Sequence, residues 1–317
     1  MYYTKSMKTY EKLYHYLSTH PDYVSGEALA QHLGISRSAI WKAVKTLEKK
    51  GVQIDSVKKK GYRLIASDLL LPEEIAKNLH TPVTLNEDSD STQLDAKNHL
   101  ETAKTPHLYL APYQKMAKGR FGRPFYTSSQ GGIYMSLHLK PNVPFEDMKP
   151  YTLMVASSVV KAISRLTGID TDIKWVNDIY LDGKKIAGIL TEAISSVETG
   201  LITDVIIGVG INFYLQDFPE DLANKATSLF HQPPSITRNQ LITETWKLFF
   251  TIPEKDLIKV YKEKSLVLNK QVTFMENDQL FSGVATDVTN QGHLLVTLDN
   301  GQEKLLRSGE ISLSSWQ

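Results

Sequence analysis

The stretch Lys174-Trp175-Val176-Asn177-Asp178-Ile179-Tyr180-Leu181-Asp182-Gly183-Lys184-Lys185-Ile186-Ala187-Gly188-Ile189-Leu190 is two apolar runs joined by Asp-Gly. That dipeptide between apolar runs predicts a β-hairpin. The hairpin starts at an Asn-Asp pair and carries Lys185 on its return strand. Upstream lies Gln114-Lys115-Met116-Ala117-Lys118-Gly119-Arg120-Phe121-Gly122-Arg123-Pro124-Phe125, which holds four cations, two glycines and no acidic residue. Glycines let backbone approach a ligand closely, and arginine forks bind carboxylate or phosphate oxygens in pairs. The stretch therefore suits an anion-wrapping loop. Read alone, it also suits a solvated basic loop or one that touches nucleic acid.

Around these two stretches the pattern alternates between strand and helix. Strands are expected at His107–Ala111, Gly132–Lys140, Asp172–Val176, Ile179–Leu181, Lys185–Ala193 and Asp204–Ile211. Gly132–Lys140 alternates apolar and polar residues and reads as half-buried. Helices are expected from Asp90 to about Thr102 and over Leu69–His80, Phe145–Thr167, Thr237–Ile252 and Glu254–Lys264. Beyond Val267, short β runs at 272–275, 283–288, 294–298, 303–306 and 311–313 are broken by Asn-Gly and glycine turns, as in a small SH3-like barrel.

The pattern over the first 67 residues is different. Tyr10, Leu13, Tyr14 and Leu17 recur at helical spacing. Ser25 suits the cap of a helix over 26–33, with Ala28, Leu29 and Leu33 inward. Ser36 suits the cap of a third helix, with Ile40, Val44 and Leu47 inward and Arg37, Ser38, Lys42 and Lys45 outward. Val52–Val57 and Tyr62–Ile65 flank Lys58-Lys59-Lys60-Gly61, a hairpin with a basic tip. Three helices and a basic hairpin predict a winged helix-turn-helix, with Ser36, Arg37, Ser38, Lys42 and Lys45 at the major groove and Lys58, Lys59 and Lys60 on phosphates.

Charge supports that division. Between Ile35 and Arg63 nine basic residues face two acidic ones, a local +7. The chain as a whole carries only +1, so the remainder is −6. Such asymmetry points to a local anionic partner. A chain of 317 residues, 41% hydrophobic, suggests two or three domains with sizeable cores. It has no cysteine, which excludes disulfides, thiolate metal sites and cysteine nucleophiles and fits a reducing cytoplasm. The first residues contain no apolar signal region, no apolar run approaches the roughly 20 residues that span a bilayer, and Met1–Ser6 adds no pattern, so Met7 is an alternative start.

Together the basic loop, the Lys-Trp-Val-Asn-Asp segment and the Lys-x-Ala-Gly-Ile-Leu strand resemble the biotin–protein ligases, in order and spacing. The resemblance implies a bifunctional ligase and biotin-operon repressor. Its expected architecture is a winged helix-turn-helix over residues 1–67, a class-II-synthetase-like mixed α/β catalytic domain over 68–265 and the SH3-like domain over 266–317. The implied reaction joins biotin to ATP as biotinyl-AMP, then passes the acyl group to a lysine of a biotin carboxyl carrier protein. Mg²⁺ accompanies the nucleotide, and catalysis needs no bound transition metal. The adenylate is the implied corepressor, with a homodimer on operator DNA.

By the same resemblance, Arg120 and Lys185 meet the reacting carboxylate and phosphate. Ser91, Thr92 and Gln114 meet the ureido ring. Arg123, Phe125 and Gly188 line the rest of the biotin site, and Lys118, Arg123, Asn177, Asp178 and Asn212 lie on the nucleotide side. Each has a plain structural alternative: an N-cap for Ser91 or Thr92, an Asx turn for Asn177 and Asp178, a strand end for Asn212, a surface lysine for Lys185. Several positions depart from the family pattern. Lys118 replaces arginine, Phe125 replaces tryptophan, Gln93 replaces asparagine, Val176 replaces proline and should loosen its turn, and Ser314 stands where some members have arginine. A lipoate–protein ligase would share the central fold, but lipoate has no ureido ring for Ser91, Thr92 and Gln114. A ligand-sensing repressor without catalysis would not need Arg120, Asp178 and Lys185.

Overall fold

The structure is a computed structural model that describes residues 7–66, 68–128, 130–215, 218–307, 309 and 311–313. Met1–Ser6 and Ser314 lie outside the described residues. The chain forms two compact units, Met1–Ile75 with Thr237–Asn239, and Ala76–Ile236 with Gln240–Gln317.

In the first unit α1 (Thr9–Ser18), α2 (Gly26–Leu33) and α3 (Arg37–Lys49) precede an antiparallel hairpin of β1 (Gln53–Val57) and β2 (Gly61–Ala66). The caps fall where expected: Ser25 Oγ accepts from the Ala28 amide at 3.1 Å and Ser36 Oγ from the Ala39 amide at 3.2 Å. Leu13, Leu17, Leu29, Ile40, Val44 and Leu47 form the core. Ala28 is a correction: it is exposed, and Ala30 packs on the core instead. Asp68 accepts from Arg238 Nε at 2.8 Å, and the Asn239 amide bonds Leu69 and Leu71, tying the chain after the hairpin to residues 238–239.

After α4 (Pro72–Leu79), the second unit is built on seven strands. These are β3 (Val83–Leu85), β4 (His107–Ala111), β5 (Gly132–Leu139), β6 (Asp172–Lys174), β7 (Asp178–Leu181), β8 (Lys184–Ser195) and β9 (Ile202–Asn212). Their order is β3-β4-β5-β9-β8-β7-β6, with β3 and β4 parallel and the other neighbours antiparallel. Helices α5 (Thr92–Lys97), α6 (Tyr151–Thr167), α7 (Glu220–Ala223), α8 (Arg238–Thr251, of which Arg238 and Asn239 belong to the first unit) and α9 (Glu254–Glu263) complete it. Asp182 and Gly183 both take positive φ, 47° and 77°, which is the tight hairpin that Asp-Gly favours.

Three sequence expectations change here. The helix from Asp90 stops at Lys97, and Asn98 to Ala103 continue as hydrogen-bonded turns. The span 145–167 divides into a short turn and α6, because Pro150 has no N–H and disfavours helix in the residue before it. β5 is buried on both faces, since it lies centrally between β4 and β9. Its polar side chains find partners: His138 Nε2 with Asp204 Oδ1 at 2.7 Å, Ser136 Oγ with Thr92 Oγ1 at 2.8 Å, while His138 Nδ1 is buried without one among the described residues. β3 and α7 had no sequence signal strong enough to name; they span three and four residues.

The C-terminal part is β-rich. β10 (Gln271–Glu276), β11 (Gln279–Val288), β12 (Leu294–Leu298), β13 (Glu303–Leu306) and β14 (Ile311–Leu313) pair antiparallel in the order β13-β12-β11-β10-β14. Among the described residues β13 and β14 remain unpaired with each other.

Candidate active site

Two glycines start the site. Gly188 on β8 faces Gly210 on β9 in register, leaving a trough with no side chains. The Phe125 ring lies in it: a Cβ on Gly210 would stand 2.6 Å from Phe125 Cε1, and one on Gly188 would stand 3.3 Å from Cε2. The basic loop that delivers this ring is stitched at both ends. The Lys115 and Met116 amides donate to Ser89 and Asp90, and the Phe125 amide donates to Ala117 O at 3.0 Å. Between them Phe121 and Gly122 take positive φ, which folds the loop back so that the Gly119 amide meets Arg123 O at 2.8 Å.

A cleft of about 410 Å³ opens over the trough. At one end Gln114 Oε1 accepts from the Thr92 amide at 2.7 Å and from Thr92 Oγ1 at 3.2 Å. Ser91 lines the same end; it occupies the N-cap position of α5 without a side-chain capping bond. Neither Ser91 nor Thr92 is spent on capping, and the Gln114 amide nitrogen has no protein acceptor among the described residues. This end offers hydroxyl and amide groups to a polar, uncharged ligand head.

The other end is charged. Lys118, Arg120 and Arg123 line it from the loop, and Asn177, Asp178 and Lys185 from the hairpin. Arg120 Nη1 donates to Asn177 Oδ1 at 3.2 Å and its guanidinium stacks on Phe121 at 5.0 Å. Asn177 is clamped to β8 by two bonds to Ile189, each 2.9 Å. Lys185 Nζ pairs with Asp178 Oδ1 at 2.7 Å and crosses Gly188, whose added Cβ would stand 3.2 Å from that nitrogen. Neighbouring Lys184 turns away and donates to Ala223 O at 2.9 Å. Burial, helped by Asp178, pushes the Tyr180 hydroxyl up to about 12, so Tyr180 stays a neutral donor at the same end.

The turn at Val176 is tied to distant segments. Trp175 Nε1 donates to Gly292 O at 2.9 Å and Tyr261 donates to Val176 O at 3.0 Å. Asn212 is not brought into the cleft lining; it is buried and donates to Thr227 O at 3.1 Å. The reason is its place at the very end of β9, where the following chain turns back to residues 227–229 and takes up its side chain and carbonyl. Gln93, noted only as a departure, is part of the floor: its amide nitrogen donates to Glu192 Oε2 at 2.8 Å, and Lys97 holds the other Glu192 oxygen at 2.9 Å. Sequence reasoning also missed Met135, Tyr180, Gly208 and, from the C-terminal sheet, Ile311 and Ser312. Alternation on β5 pointed at the first, whereas nothing in sequence brings residues 311–312 to this cleft.

In the first unit Arg37, Ser38, Lys42 and Lys45 are exposed along α3, and Lys58, Lys59 and Lys60 form the exposed hairpin tip. Ser36 is used as the helix cap, and Lys45 pairs with Glu48 at 2.7 Å.

Family comparisons agree with both units. Residues 10–63 match an HTH domain, 86–212 the biotin/lipoate A/B protein ligase family and 267–314 the biotin protein ligase C-terminal domain. The bifunctional ligase/repressor BirA of Bacillus subtilis is 32% identical over 309 residues, covering 92% of this chain and 94% of that one. The Escherichia coli protein of the same name is 28% identical, covering 93% and 94%. Among solved structures, the biotin protein ligase from Aquifex aeolicus in complex with biotin and ATP superposes with a TM-score of 0.61 at 26% identity, over 73% of this chain and 98% of that one. With a helix-turn-helix ahead of this cleft and full-length similarity to such relatives, the chain belongs to the family of BirA-type bifunctional biotin protein ligases and repressors.

Proposed function

We propose that this protein activates biotin with ATP, transfers biotin to a lysine of a biotin carboxyl carrier domain, and represses biotin genes through its N-terminal unit. The observation that carries the reading is the two-ended cleft. Hydroxyl and amide groups at Thr92 and Gln114 suit a ureido ring, an aromatic wall at Phe125 suits an apolar chain, and cations at Arg120 and Lys185 suit two anions brought together. A biotin carboxylate oxygen attacks the α-phosphorus of ATP, the bond to pyrophosphate breaks, and biotinyl-AMP forms. A carrier lysine amine then attacks the acyl carbon, AMP leaves, and the amine gives up a proton. Fixed cations counter the charge that builds when carboxylate and phosphate approach. Lipoate offers nothing to the Thr92–Gln114 end, and a sensor without catalysis needs no lysine over Gly188.

In this reading Ser91, Thr92, Gln114, Arg123, Phe125 and Gly188 bind biotin, and Arg120 and Lys185 are catalytic. Lys118, Arg123, Asn177 and Asp178 serve the nucleotide; Asn212 acts only by supporting residues 227–229. Mg²⁺ arrives on ATP. Such an ion can be held by one carboxylate and substrate phosphates, and Asp178 at the charged end of the cleft fits that place. It would neutralise phosphate charge. We assign domains to 1–67, 68–265 and 266–317, the central one class-II-synthetase-like and the last SH3-like. No helix among the described residues is long and apolar enough to cross a membrane, which is compatible with the proposed cytoplasmic location.

The N-terminal unit works on operator DNA as a homodimer, because one winged helix reads too few base pairs for useful specificity. The adenylate favours the dimer only by binding it better than the monomer, and the loop at 115–130 is the proposed carrier of that difference. Two measurements test the scheme. The protein with ATP should label a carrier-domain lysine with biotin, and not with lipoate. Biotin plus ATP should lower the dimer dissociation constant by about tenfold, within the usual range of coupling energies, and raise operator affinity in step. Lack of ATP-dependent labelling removes the ligase; unchanged self-association removes the corepressor link.

A further inference from the structure

α3 carries one residue that neither the core nor charge explains. Trp41 is 55% exposed, while Trp175 and Trp246 are buried. Its helix turns Ile40, Ala43, Val44 and Leu47 to the core and leaves Trp41 on the opposite face. There it sits between Arg37 one turn before and Lys45 one turn after, with Ser38 and Lys42 beside it. The indole touches no other ring and no cation, and its N–H has no acceptor, among the described residues. An indole left in water forgoes a large apolar burial, and it is placed at the centre of the stripe of cations that suits a phosphate-lined groove.

We infer that Trp41 enters the major groove and packs its indole against the 5-methyl group of a thymine, so that it reads sequence where its cationic neighbours only position the helix. Thymine's methyl is the one apolar group on the major-groove edges, so it is the base feature this side chain complements. The inference rests on the reading of the first unit as DNA-binding. It adds a base-reading residue to that surface.

Duplexes selected from a random pool with the intact protein, biotin and ATP supply the probe. Affinity is then measured for wild type, Trp41→Ala and Trp41→Phe over a range of salt, on the selected duplex, on the same duplex with single thymines replaced by deoxyuridine, and on a scrambled duplex. Trp41→Ala should lose about tenfold in specific affinity, the size of one lost base contact. Its binding to the scrambled duplex and its salt slope should stay unchanged, because no phosphate contact is removed. One deoxyuridine position should weaken wild type and leave Trp41→Ala indifferent, and Trp41→Phe should restore part of the loss. Unchanged binding to the scrambled duplex, with an unchanged circular dichroism spectrum, certifies the fold of the N-terminal unit in each variant. Equal losses on selected and scrambled duplexes, equal deoxyuridine effects in wild type and variant, or altered self-association without altered DNA binding each overturn the inference. If wild type selects no duplex at all, the DNA-binding reading fails first, and this inference with it.

Discussion

Replacing Lys185 by alanine tests the choice between two adjacent lysines that the strand motif made in favour of Lys185. Lys185 Nζ lies over Gly188, 2.7 Å from Asp178, with its side chain 30% exposed. Lys184 Nζ lies on the far side, bonded to a carbonyl at the end of α7. In the proposed reaction Lys185 leaves Asp178 for the joined carboxylate and phosphate oxygens. A unit charge about 4 Å from an anion is worth about 4 kcal/mol at the effective dielectric near a protein surface. Partial exposure trims this to about 3 kcal/mol, in the range found when one preorganised donor is removed, or roughly a hundredfold in rate. The loss should appear in kcat of biotin-dependent pyrophosphate exchange. Biotin affinity without ATP should move far less, because the polar head is held at Thr92 and Gln114. Lys184→Ala should match wild type. Wild-type exchange by Lys185→Ala, or equal damage from Lys184→Ala, would refute the assignment.

The glycine trough is tested by Gly210→Ala, whose Cβ would stand 2.6 Å from the Phe125 ring. The ring must shift by about 1 Å, a displacement that can cost up to about a hundredfold at a reacting site, so the biotin KM should rise at least tenfold while overall stability holds. An unchanged KM would mean that Phe125 is no wall of the biotin site. His107 governs an acid limb: burial, then the nearby His138 and His99, lowers its pKa from the ordinary value of 6.5. A depressed folded pKa contributes stability above pH 6.5 that is lost as pH falls toward the folded value, because the unfolded chain takes up the proton first. Urea midpoints should therefore drop below pH 6.5 in wild type and drop less in His107→Gln; parallel curves count against this. Deleting residues 1–67 should abolish DNA binding and leave part of the ligase activity, since every cleft residue lies beyond Ala76; DNA binding by the shortened chain would remove the winged-helix assignment.

Local chemistry was legible wherever a single residue dictates a backbone state. Ser25 and Ser36 cap helices, Asp182-Gly183 makes the hairpin, and the Lys58–Gly61 tip stands between two paired strands, all because their causes lie within four residues. The basic loop and hairpin were legible as anion-binding stretches for the same reason: charge and glycine spacing are properties of the chain itself. Burial was less legible. Tyr134, Ser136 and His138 alternate with apolar residues like an exposed face, yet β5 is covered on both sides. Their partners Ser128, Thr92 and Asp204 come from three different segments, so only folding reveals which groups meet them.

The candidate site divides along the same line. Sequence by itself determined which residue types could grip two anions and a neutral polar head, and that a basic N-terminal unit accompanies them. Tertiary structure alone decided that Lys185 pairs with Asp178 across Gly188, that Gly188 and Gly210 meet in register to admit Phe125, that Asn212 is spent on residues 227–229, and that Ile311 and Ser312 reach the rim. Those outcomes depend on strand register and on contacts between residues far apart in the chain. A one-residue slip in register turns every side chain to the other face, and no local pattern within the hairpin records where its neighbour strand begins.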